Sequence, residues 1–258
     1  MNFTGTRIIQ TGRWAILFAA CFVSACGSPK PVRQTELGPD TRLKVAEAAE
    51  AAGDDQLANA MYSTLATSAP QDAGLQLRSA RALMRNGKLA QARDALSAAL
   101  ENNPGNDDLI RTLASIEIIS GQSASAITKL DAILARKPDN VSALVNKAVA
   151  LDLESRHGEA QILYYQALAE APADAAARND LALSLMLQGR LAEARDILAP
   201  IQREAGSIPR IRSTLAILDA ASRGTGSRSQ PFSPDSDGQI ALLGQAISRA
   251  GGETSVAR

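Results

Sequence analysis

Chemistry at neutral pH calls for a nucleophile, a poised acid–base pair or a set of metal ligands, and this sequence holds few residues fit for any of them. Its one histidine is His157, and its two cysteines are Cys21 and Cys26. Cys21 lies inside an apolar run and Cys26 closes that run, so no disulfide can form in the region beyond Cys26. Packing alone must stabilise that region. His157 has no second histidine or cysteine at metal-ligand spacing and reads as a solvated turn residue. If Cys26 is itself modified, no thiol remains free. The chain therefore does not read as an enzyme, and no cofactor, metal or small-molecule substrate is expected.

Composition excludes a second class. The 258 residues carry 27 Lys+Arg against 27 Asp+Glu, and setting aside residues 1–25 removes only Arg7 and Arg13, so the balance persists. No basic field steers the protein to nucleic acid. Beyond Cys26 the aromatic residues are Tyr62, Tyr164, Tyr165 and Phe232, too few for a base-stacking platform.

A repeat organises most of the chain. Pro70, Pro104, Pro138 and Pro172 are each separated by 34 residues, and each is followed within two residues by Asp or Asn, the chemistry of a turn and a helix N-cap. Counting units from 39, 73, 107, 141 and 175, the eighth position is Ala46, Ala80, Ala114, Ala148 and Ala182, and the twentieth is Ala58, Ala92, Ala126, Ala160 and Ala194. The fifteenth is Gly53, Gly87, Gly121, Ser155 and Gly189, which suits a helix C-terminus, and the twenty-fourth is large in every unit: Tyr62, Leu96, Leu130, Tyr164, Leu198. The 34-residue period and the two small positions resemble the tetratricopeptide repeat, a pair of antiparallel helices. The fold expected is all-α: a solenoid of about five 34-residue helix-turn-helix units at 39–72, 73–106, 107–140, 141–174 and 175–208, plus a capping helix at 209–223. Pro200 should end or kink the last second helix a turn early. Residues 224–238, rich in Gly, Ser, Asp and Pro, read as a disordered linker, and 239–258 as a short helix around Ile240–Ile247 with a tail.

The resemblance implies a partner-binding groove lined by positions 2, 5, 9, 12 and 13 of each first helix. The first two units supply a mixed, charged lining that includes Glu47, Glu50, Arg81 and Arg85. The next three supply Arg111, Ile118 and Ile119; Val145, Val149, Asp152 and Leu153; and Asn179, Leu183, Met186 and Leu187. The basic and Asn pattern of chaperone-binding repeats is missing, so a free acidic C-terminus is not the expected partner. An apolar groove suits an amphipathic helix or an apolar strand of a protein.

The N-terminus predicts how the protein is held. Arg7 and Arg13 precede Trp14–Val23, an apolar run too short for a permanent bilayer helix. That is the pattern of a secretion signal, residues 1–25. Val23-Ser24-Ala25-Cys26 resembles the lipobox of bacterial lipoproteins, which implies acylation of Cys26. Gly27 rather than Asp after the cysteine implies sorting to the outer membrane, lipid-anchored and facing the periplasm, with residues 26–38 as a flexible tether.

The stretch from Ala143 to Gly224 is similar to TadD, the tetratricopeptide lipoprotein of the tight-adherence (Flp) pilus assembly system. Ala150-Leu151-Asp152, Arg156-His157-x-Glu159-Ala160-Gln161, Ala177-Arg178-Asn179-Asp180-Leu181-Ala182-Leu183-Ser184-Leu185 and Ala194 to Pro200 carry the resemblance, followed by Pro209–Gly224. It implies a pilotin-like adaptor that localises or assembles the pilus secretin. Another periplasmic scaffold lipoprotein of the same build, such as a type IVa pilotin or an adaptor for outer-membrane assembly or cell-wall enzymes, is the alternative.

Overall fold

The computed structural model describes residues 38–202 and 208–224. The expected signal peptide, Cys26, most of the tether, the 224–238 linker beyond Gly224 and the short C-terminal helix lie outside the described residues.

Among the described residues eleven α-helices follow one another, with no strand: α1 (Pro39–Ala52), α2 (Asp55–Ser68), α3 (Ala73–Arg85), α4 (Leu89–Asn102), α5 (Asp107–Ile119), α6 (Ser123–Leu134), α7 (Val141–Leu153), α8 (His157–Glu170), α9 (Ala175–Leu187), α10 (Leu191–Leu198) and α11 (Pro209–Gly224). The first helix of each pair starts on the 34-residue step because the chain signals its start there. Asp72, Asn106, Asn140 and Asp174 cap α3, α5, α7 and α9 in turn, each side chain accepting from backbone N–H donors of the first turn.

Each pair turns by the same device. Gly53, Gly87, Gly121 and Gly189 hold φ between 71° and 75°, and Ser155 reaches φ 59° at the equivalent place. The next N–H donates to the carbonyl five residues back at 2.7 to 2.9 Å in all five turns, from Asp54, Lys88, Gln122, Arg156 and Arg190. These bonds satisfy a carbonyl that the helix end would otherwise leave free. Ser155 alone among the described residues adopts positive φ with a side chain.

The ten repeat alanines, at the eighth and twentieth positions, have no solvent exposure at all. Neither do Tyr62, Leu96, Leu130, Tyr164 and Leu198, which fill the space the alanines leave open. The last pair departs as the proline requires: α10 is eight residues long and passes into a 3-10 turn over Ala199–Ile201, since Pro200 offers no N–H to continue the helix. α11 keeps the phase of a first helix, burying Ile211 and Leu218. Ala216, its eighth position, is exposed, because no described second helix follows to cover it.

Two substitutions test this packing. Ala160→Leu adds volume where Ala160 has none to spare and should cost about 1–3 kcal/mol, whereas Ala169→Leu, on the exposed side of α8, should leave the melting temperature nearly unchanged. Ser155→Gly relieves a left-handed residue but loosens the unfolded chain, so a net gain of about 0.5 kcal/mol is expected, seen as a higher melting temperature by circular dichroism.

Candidate functional site

The first helices of neighbouring units pack on one another, α3 with α5, α5 with α7, α7 with α9 and α9 with α11, and no comparable contact joins the second helices among the described residues. First helices thus form the inner layer of the array and second helices the outer.

Eleven residues are expected to line the inner face, and burial divides them. Ile118, Val149, Asp152, Asn179 and Met186 are at most 4% exposed, so they pack inside the array and cannot meet a partner as it stands. The reason is geometric: from the second unit to the fifth, position 12 of the first helix turns toward the adjoining unit, as Met84, Ile118, Asp152 and Met186 all do, whereas Glu50 of the first unit stays exposed. Position 13, one residue further round, stays at the inner surface. Ile119, Leu153 and Leu187 hold that position and are half-buried, joined by Val145 and Leu183 and by Arg111 on α5. The stripe is shallow rather than an open patch. The most exposed large apolar side chains among the described residues are elsewhere, Ile162 and Tyr165 on the outer helix α8.

Asp152 and Asn179 belong to a buried polar region that spacing along the chain does not reveal. His157 is not the solvated turn residue its position suggests. Its Nδ1 lies 2.8 Å from Asp152 Oδ1, and the same oxygen accepts from Ser184 Oγ at 2.7 Å. Gln161 Nε2 reaches Ser184 Oγ at 3.4 Å and Gln188 Oε1 at 3.0 Å, and Arg190 donates to Gln161 Oε1 at 2.7 Å. The chain of bonds runs through α7, α8 and α9 into the turn before α10. The turn-side His157 lands against a carboxylate because α8 begins at His157 itself and Asp152 sits at the end of α7. A Ser, a His and an Asp are thus together, but Ser184 and His157 both address one carboxylate oxygen. The hydroxyl is bonded to an acceptor, has no recorded bond to the imidazole and is completely buried, so nothing activates it as a nucleophile.

Burial pushes the Asp152 carboxyl up, against the opposing pull of His157 and Ser184. Asp180, next along α9, is driven further, to about 6, by desolvation, with the charge of Arg210 and a hydrogen bond from Asn179 opposing. No group of three or more candidate ligands forms a metal site among the described residues, and no described helix is long and apolar enough to cross a membrane.

The inner face of the first three units is charged. Arg78 bonds Glu47 at 2.8 Å and lies 5.9 Å over the Tyr62 ring, Arg85 pairs with Glu50 and Asp55, and Arg111 pairs with Asp108.

A run of helical pairs packed through small-residue crossings, with an inner face that has charged and apolar stretches, defines a helical-repeat binding scaffold. The chain belongs to the tetratricopeptide repeat family: profiles of that repeat match residues 49–116 and 153–218, and another covers 112–175. An uncharacterized protein, y4yS, of Sinorhizobium fredii (strain NBRC 101917 / NGR234) is 40% identical over 112 residues, 42% of this chain. This chain spans 61% of that protein's length. Among solved structures, TTC0263, a thermophilic TPR protein of Thermus thermophilus, matches with a TM-score of 0.62 at 19% identity, over 70% of this chain and 98% of that one. A double mutant of MamA RS-1 matches with a TM-score of 0.53 at 15% identity, over 66% and 97%. These likenesses establish the fold.

A raised carboxyl pKa has a defined sign. Asp180 in the folded protein holds its proton up to about pH 6, so its contribution is fully present below the ordinary carboxylate pKa and is lost as pH rises to about 6. Asp180→Asn should therefore match wild type near pH 4 and become more stable than it by up to about 3 kcal/mol near pH 7. Urea unfolding across that range checks it, and a pH-independent difference would contradict the burial argument.

Proposed function

We propose that this protein is a lipid-anchored adaptor, held at the outer membrane through acylated Cys26, that binds the secretin of a tight-adherence pilus system and helps localise or assemble it. Two things support the reading. The lipobox-like Val23-Ser24-Ala25-Cys26 follows a short apolar leader, and the stretch from Ala143 to Gly224 resembles TadD. The observation that carries the binding step is the repeated apolar stripe of Ile119, Leu153 and Leu187, flanked by Val145 and Leu183, half-buried on the inner face of α5, α7 and α9. Large apolar side chains that pack on the core along one side, as Ile119, Val145, Leu153 and Leu183 do, and stay partly open on the other suit an apolar segment of a partner. The remote groups agree: the polar cluster of Asp152, His157 and Ser184 ties the fourth unit to the fifth and so holds the stripe in register.

The test is in cells. Leu183→Glu and Leu187→Glu, each shown to melt like wild type, should lose secretin from a detergent-solubilised pull-down and lower secretin multimers in the outer membrane. Glu159→Lys, on the exposed side of α8, should keep both. Met186 is unsuitable because it is buried. Cys26→Ser should abolish labelling by a fatty-acid probe. Retained secretin in the two Leu variants would refute the groove, and equal labelling would refute the anchor.

A further inference from the structure

The inner face carries a second feature that the apolar stripe does not use. Arg81, on α3, is half-buried and makes no hydrogen bond or ion pair with any described residue, and its Nε is enclosed without a partner. The carboxylates around it are engaged elsewhere. Glu50 accepts from Tyr62 and Arg85, and Asp108 pairs with Arg111. The charges that act on Arg81 come from Arg111 and Asp108 on α5, Glu50 on α1 and Arg78 on α3, so it faces the inner layer. A guanidinium in such a place stays charged; burial is the largest influence against that charge and Arg111 adds to it, while Asp108 and Glu50 oppose it without a hydrogen bond.

We propose that Arg81, with Arg111 beside it, anchors an acidic side chain of the protein segment that docks on the inner face. The proposal rests on that face being the docking surface, and not on the partner being a secretin. Three observations select the ligand. The unpaired group is a cation with a fork of donors, which fits a carboxylate in two parallel bonds. Glu50 and Asp108 stand close by, and they would repel a doubly charged phosphate more than a singly charged carboxylate. The apolar stripe begins on the helix that carries Arg111: Ile119 is eight residues further along α5, about 12 Å by helical rise. An extended segment would thus place its first apolar side chain about four residues from the acidic one. Ion pairs of Glu47 with Arg78 and of Glu50 with Arg85 carry the surface on from α3 to α1, so the bound chain can run past Arg81 and need not end there.

Random dodecapeptides displayed on phage, selected on the immobilised full-length protein, supply the probe. Wild type should enrich peptides that combine Asp or Glu with apolar residues, and Arg81→Met should keep the apolar preference and lose the acidic one. On a selected synthetic peptide, the acid-to-amide change should weaken binding about tenfold to wild type and hardly at all to Arg81→Met. Arg93→Met, on the exposed surface of α4, should behave as wild type. Arg81→Met should also melt no lower than wild type, since it removes an unpaired, desolvated charge; a purely structural arginine would lower the melting temperature. Selected peptides without acids, or an equal acid-to-amide loss on both proteins, overturns the anchor while leaving the docking surface intact. Selected peptides that bind Leu187→Glu undiminished exclude the α9 end of the stripe from the contact, and the paired comparison at Arg81 still decides the anchor. Binding only by peptides with a free C-terminal carboxylate overturns the assignment to a side chain.

Discussion

The array depends on how closely its helices cross. Ten alanines at two repeat positions sit with zero exposure where paired helices meet, and a longer side chain there would have to push the helices apart in a lattice that has no slack. Because the crossing is fixed by atoms the size of a methyl group, the large residue four positions after the second alanine has a defined space to fill. Tyr62, Leu96, Leu130, Tyr164 and Leu198 all occupy it fully buried. The left-handed turn at the fifteenth position follows from the same constraint, since the second helix must double back at once to reach the crossing. Four glycines take that conformation without steric penalty, and Ser155 takes it with one.

Between units four and five the array adds something beyond apolar packing. Asp152, His157, Ser184, Gln161 and Arg190 form a connected set of hydrogen bonds across two helical pairs. Buried polar groups of this kind stabilise only when most partners are satisfied, and they favour one arrangement over near alternatives. Asp152 Oδ2, Tyr164 Oη and Asn179 Oδ1 lack a partner within hydrogen-bond geometry, and burial pushes the Asp180 carboxyl up to about 6. That end of the array accepts electrostatic strain in return for a fixed relation between α7 and α9, the helices that present Leu153, Leu183 and Leu187.

The inner face accordingly has two chemistries in sequence. Units one to three present ion pairs and the unpaired Arg81, and units three to five present the half-buried stripe. A helical-repeat scaffold reads a partner as an ordered series of side chains, so a boundary between charged and apolar lining selects for segments with the matching order.

The helical pairs, their phase, the turn glycines, the close crossings and the early end of α10 were all legible in the sequence. Each depends on local chemistry repeated at a constant interval: a proline and cap residue, a small residue, a residue that tolerates positive φ. Which side of a first helix faces out was legible only in part. Positions 12 and 13 differ by one step of the helix, and whether that step ends inside the array or at its surface is set by how neighbouring units lean on one another. Tertiary packing therefore took Ile118, Val149, Asp152, Asn179 and Met186 into the interior and left Ile119, Leu153 and Leu187 at the inner surface. His157 likewise carries the marks of a turn residue, and only the return of α8 against α7 shows that its ring meets Asp152. The unpaired state of Arg81 is of the same kind, since a lack of partners is a property of every neighbouring helix at once and leaves no trace in the spacing of residues along the chain.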